Sequence, residues 1–182
     1  MRALIVVFVL LSGQCFAGEK KQPDVSAAIH LMGRHTSAHA CVIGEREVLT
    51  AAHVVDQRPW DLKYPLMPAF WSDDNGHSGD LDAMFTFRAM DLGGMCSAVA
   101  LPSVAHLATV PPAPGDDVWI VGYDWRSQKK AYTTRVWNLR VLRVVAGHVI
   151  LDDVTEPGSS GSCVFNAAGE VVGILTAGMP IN

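Results

Sequence analysis

Apolar residues recur along this chain in stretches of strand length, broken at short intervals by turn-forming residues. The pattern predicts strands over Val25–Leu31, Ala38–Ile43, Glu47–Ala51, Met67–Trp71, Ala83–Ala89 and Leu92–Leu101. A proline-rich connector follows, Val110-Pro111-Pro112-Ala113-Pro114-Gly115. A second set then runs Val118–Tyr123, Tyr132–Val145, Val149–Leu151, Ser162–Phe165 and Val171–Thr176. No heptad, internal repeat or low-complexity block interrupts it. The expected fold is all-β, with two small antiparallel barrels. The first would span 25–101, with a linker over 102–114 and the second barrel over 115–182. A cleft between the two is the natural place for a site.

The N-terminus departs from this rhythm. Arg2 precedes an unbroken apolar run, Ala3–Leu11, too short to span a bilayer comfortably. Small and polar residues follow, Ser12-Gly13-Gln14-Cys15-Phe16-Ala17-Gly18. Residues 1–17 therefore read as a signal peptide cleaved after Ala17, which leaves 18–182 as the exported domain. A buried strand is the other use of such a run, but polar Glu19–Asp24 separates it from the rest. Lipid attachment at Cys15 fits poorly, because bulky Gln14 stands where a small residue is needed.

Composition narrows the picture a little. A 182-residue chain, 49% hydrophobic and 18% charged, suits one compact unit or two subdomains sharing an interface. A net charge of -4 gives no electrostatic reason to expect nucleic acid or an anionic membrane as partner. Export permits disulfides. Cys41, Cys96 and Cys163 remain after signal removal, so at least one is free or pairs between chains. No Cys/His spacing suggests zinc, and no metal or cofactor is expected. Apart from His53, the histidines read as ordinary solvated or hydrogen-bonded side chains.

Two segments carry chemistry. In Leu49-Thr50-Ala51-Ala52-His53-Val54-Val55 a strand ends in small residues and delivers a histidine. In Pro157-Gly158-Ser159-Ser160-Gly161-Ser162-Cys163-Val164-Phe165 a serine sits between glycines ahead of an apolar strand. A serine hydroxyl is a weak nucleophile and needs an adjacent base. Histidine can take its proton and return it to a leaving group. The oxyanion that follows is best met by backbone N–H groups preset in a tight turn, here those of Gly158 and Ser160. An α/β-hydrolase elbow does not fit, since G-x-S-x-G on a strand-to-helix turn is required. Here Ser162 fills the last position and a strand-like Val164-Phe165 follows.

The Leu49–Val55 segment resembles the histidine motif of trypsin-like serine peptidases, and Pro157–Phe165 resembles their serine motif. The Gly-Ser-Ser-Gly-Ser form is closer to bacterial glutamyl endopeptidases and high-temperature-requirement proteases than to digestive trypsins. Gly169–Gly178 looks like the family strand that pairs with substrate backbone, and Gly115–Tyr123 like the opening strand of the second barrel. The resemblance implies a chymotrypsin-like pair of six-stranded barrels and a secreted or periplasmic serine endopeptidase acting on protein or peptide. Ser160 would be nucleophile and His53 the general base. It also places Cys41 and Cys163 at the barrel interface, bonded or packed as small apolar groups. The alternative is an inactive, peptide-binding member of the same fold.

The sequence departs from the family in several places. Ser159 stands where digestive enzymes carry an acidic residue, so activation by N-terminal insertion is not expected. The chain ends at Asn182, without the last strand and C-terminal helix of the family, which implies a second barrel shortened at its C-terminal end. The orienting acid has two candidate segments, Asp80-Leu81-Asp82 and Asp91-Leu92-Gly93. Family strand order puts two strands between the histidine and an acid heading the sixth strand. That selects Asp91, with Asp82 as runner-up. Thr155, Thr176 and Gly178 would line the substrate pocket. Thr155 resembles a pocket threonine of glutamyl endopeptidases, but Leu175-Thr176 stand where their pocket histidine is expected. Glu specificity is not assigned.

Overall fold

The computed structural model describes residues 4–6, 25–32, 37–55, 69–126, 131–153, 155 and 158–176. Two six-stranded antiparallel barrels account for nearly all the regular structure among them. The first comprises β2 (Ala28–Met32), β3 (Ser37–Val42), β4 (Glu47–Ala51), β5 (Ala69–Ser72), β6 (Ser78–Phe87) and β7 (Leu92–Ser97), closed in the order β2-β3-β4-β7-β6-β5. A single helical turn, α1 (Ala52–Val55), leaves β4. The second barrel comprises β8 (Asp117–Arg126), β9 (Ala131–Val145), β10 (His148–Leu151), β11 (Cys163–Phe165) and β12 (Val171–Thr176). It closes on β1 (Leu4–Val6).

Alternation explains the first barrel. Ile29, Leu31, Ala40, Val42, Val48, Leu81 and Met95 point inward and are almost fully buried. Burying each of the larger ones favours folding by about 2 kcal/mol. The largest departures from the expected strand limits are at β6 and β7. β6 begins at Ser78 rather than Ala83, because the turn ahead of it is set by Asp73. That carboxylate accepts the N–H of Asn75 and of His77, and so starts a hairpin with β5. β7 ends at Ser97 rather than Leu101. Ser97 N–H donates to the Arg46 carbonyl, and Leu101 N–H turns back to Glu45.

The linker is laced to both barrels. Ala105 N–H donates to Val42 of the first, and Ala108 N–H to Val171 of the second. Between the barrels lies a separate apolar layer, including Ala28, Cys41, Leu92, Val121, Tyr123, Cys163, Phe165 and Ile174. The Cys41–Cys163 disulfide crosses it, and Cys96 is a free thiol.

β1 answers part of the expected shortening of the second barrel. Leu4, Ile5 and Val6 pair with Ile150, Val149 and His148 on one side, and with Thr176, Leu175 and Ile174 on the other. The edges of β10 and β12 each present backbone donors and acceptors that need partners. An apolar segment rich in β-branched residues fits between them. The segment read as part of a signal peptide thus stands in the sixth place of the barrel. No helix among the described residues is long and apolar enough to cross a membrane.

Candidate active site

His53 opens outward from α1, just past the end of β4, with its side chain 44% exposed. Its Nδ1 lies 2.7 Å from Oδ2 of Asp91. The same carboxylate accepts the His53 backbone N–H through Oδ1 at 2.9 Å, and the Asp91 carbonyl accepts Ala52 N–H at 2.9 Å. Asp91 is therefore bound to the 52–53 segment at three points. It heads β7 in a left-handed conformation, φ 51°, which aspartate tolerates better than most residues. With Nδ1–H donating to a carboxylate, Nε2 carries the lone pair and is the basic end of the ring.

Asp82, the runner-up, is exposed in the middle of β6 opposite Cys96, and Asp80 is exposed opposite Phe70. Of the candidate acids, Asp91 is the one the fold brings to His53.

Ser160 lies in the turn ahead of β11 and is half-buried. Gly158 (φ +93°) and Gly161 (φ +85°) frame it, both in backbone regions that L side chains rarely adopt. Gly161 N–H donates to Leu175, Ser162 N–H to Ser159, and the Ser160 carbonyl accepts from His39 N–H at 2.9 Å. Among the described residues no hydrogen bond takes up the N–H of Gly158 or of Ser160. Space at Gly161 is also exhausted: a Cβ there would lie 1.9 Å from the His39 carbonyl oxygen and 2.3 Å from Thr50 Oγ1. That same carbonyl accepts the Thr50 hydroxyl at 2.6 Å. Thr50 belongs to β4, the strand that delivers His53. Two hydrogen bonds through His39 thus connect the serine turn to the histidine strand.

The hydroxyls of Thr155 and buried Ser159 are hydrogen-bonded to each other, so a neutral pair occupies the position next to Ser160. Thr176 is buried as the last described residue of β12. Gly178 lies outside the described residues. Among the described residues no grouping of three or more His, Cys, Asp or Glu side chains could hold a metal ion. His39, buried at the turn, is the residue that sequence reasoning passed over. Its one signal was a polar residue among the small apolar ones of Ala38–Val42.

Comparison with known proteins identifies the fold and the family. Among solved structures, a Glu endopeptidase in complex with MPD superposes with a TM-score of 0.75 at 15% identity, over 86% of this chain and 81% of that one. Deg5 gives 0.68 at 15% identity, over 85% and 80%. A serine endoprotease from Yersinia pestis gives 0.66 at 19% identity, over 85% of this chain and 55% of the other. These likenesses establish the chymotrypsin-like fold. No curated protein sequence matches the chain. The sequence profile of the trypsin-like peptidase domain matches residues 38–174, a span that contains His53, Asp91 and Ser160. The chain belongs to the trypsin-like peptidase family and is a serine peptidase.

Proposed function

We propose that this chain is an exported serine endopeptidase that cleaves peptide bonds through an acyl-enzyme, with Ser160 as nucleophile, His53 as general base and acid, and Asp91 as orienting carboxylate. In the proposed reaction, Ser160 Oγ bonds to the scissile carbonyl carbon and its proton passes to Nε2 of His53. The carbonyl oxygen becomes an oxyanion and meets the N–H groups of Gly158 and Ser160. His53 then returns the proton to the amine as the C–N bond breaks. Water repeats the sequence on the ester and releases the acid. Asp91 keeps the imidazole in the tautomer with Nδ1–H and stabilises its charged form.

The observation that carries this reading is the triple attachment of Asp91 to the 52–53 segment. It fixes the tautomer that leaves Nε2 basic. Export is part of the proposal and rests on the apolar run Ala3–Leu11 and the small residues up to Ala17. Thr155, Thr176 and Gly178 are proposed to line the substrate pocket. Digestion of an unbiased peptide library by purified protein tests the proposal. Cleavage that disappears in Ser160→Ala is expected. Undiminished cleavage by that variant would defeat it, as would no cleavage by folded wild type.

A further inference from the structure

The imidazole of His39 sits where β3, β8 and the serine turn meet. It is 2% exposed. Its backbone N–H donates to the Ser160 carbonyl, and its own carbonyl accepts the Thr50 hydroxyl. Nε2 accepts the Tyr123 backbone N–H at 2.8 Å, and the ring stacks on the Tyr123 ring with centroids 5.8 Å apart and planes 13° apart. An Nε2 that accepts a hydrogen bond cannot carry the proton, so the neutral ring is protonated at Nδ1. Burial keeps the ring neutral, pushing its pKa down to about 4. Nδ1 is fully buried and makes no hydrogen bond of good geometry among the described residues. The backbone of Gly158 and Ser159 faces the ring. A fully buried ring nitrogen without a hydrogen-bond partner among the described residues is rare in a folded protein.

We propose that His39 is a positioning residue for the oxyanion turn: its Nδ1–H holds the Gly158–Ser159 backbone so that the N–H groups of Gly158 and Ser160 stay turned toward the scissile carbonyl. The contact closes into a full hydrogen bond as the turn tightens around the oxyanion. The role rests on the proposed reading of Ser160 as nucleophile. It differs from the role of His53, because His39 touches no reacting atom and transfers no proton. It also differs from a purely structural role, because only one of its two ring nitrogens serves the turn.

Two amide variants separate the nitrogens. In His39→Asn the side-chain NH2 reaches the place of Nδ1. In His39→Gln the side-chain oxygen reaches the place of Nε2 and keeps the Tyr123 bond, but offers no donor to the turn. With a substrate found by library digestion, kcat in His39→Gln is expected to fall about 100-fold with KM nearly unchanged, the scale of losing one oxyanion donor. His39→Asn is expected to recover about ten-fold of that loss. Equal kcat in the two variants, or a loss confined to KM, would overturn the proposal. Nitrogen-15 NMR of the resting wild type reads the tautomer without any turnover. Nδ1–H at His39 is expected, and Nε2–H or a charged ring at neutral pH would overturn the role. If the tautomer is as expected but folded wild type turns over nothing, the nucleophile reading falls first and takes the positioning role with it.

Discussion

Asp91 is tied to the 52–53 segment by three hydrogen bonds. Its position at the head of β7 was legible through the order of strands, whereas its local sequence hardly differs from that around Asp82. A strand reverses its side chains at every residue, and β6 is bulged between Ala83 and Phe85. Facing direction along it therefore could not be counted from sequence. In the fold Asp82 is opposite Cys96 and exposed, while Asp91 meets His53. Asp91→Asn should lower turnover by about 10^4, since an amide favours the wrong imidazole tautomer. Asp82→Asn should leave turnover near wild type. Steady-state kinetics on both variants check this, and the reverse ranking would make Asp82 the orienting acid. His39 was not legible in the same way. A histidine amid small apolar residues looks like any core histidine until the turn that faces it, far along the chain, is brought against it.

At the scale of elements, β2, β3 and β8 share a buried histidine layer. His30 on β2 and His39 on β3 are 1% and 2% exposed, with ring centroids 5.9 Å apart. Ser37 reaches Nε2 of His30 at 2.7 Å, and the Tyr123 phenol donates to the Ala28 carbonyl. Asp74 is the carboxylate that acts on Tyr123 most strongly, and the backbone of Gly158 and Ser159 completes the surroundings of His39. Burial lowers both imidazoles from 6.5 to about 4, and at His39 the charge of His30 adds to the effect. The unfolded chain therefore binds protons that the folded chain refuses. Stability from this layer is complete above about pH 6.5 and is lost as pH falls toward 4. Thermal melting should drop over that window, and a His30→Gln, His39→Gln double variant should drop less. An equal drop in both proteins would assign the acid sensitivity to other groups. The strands themselves were largely readable, because alternation of apolar residues marks a half-buried strand. Their ends were less so. They depend on turn contacts such as those of Asp73 and Ser97, which no periodicity encodes.

The whole molecule is two barrels joined by a shared apolar layer, a disulfide and a linker that bonds to both. The barrel pair was legible from the two sets of strands and the prolines between them. The closure of the second barrel by Leu4–Val6 was not, because a short apolar run behind Arg2 and ahead of small residues reads as a signal peptide rather than as a strand. Both uses bear on one experiment. If export removes residues 1–17, the facing edges of β10 and β12 lose their partner. Amides of 148–151 and 174–176 should then exchange with deuterium faster in residues 18–182 than in the full chain. Equal protection would mean that the sixth place is filled from elsewhere. The most direct test of the central claim is covalent labelling of the intact protein with a fluorophosphonate probe, read by peptide mass spectrometry. One adduct is expected, on Ser160, absent in Ser160→Ala and strongly reduced in His53→Ala. Folded wild type that takes no label, or an adduct on another serine, would contradict it.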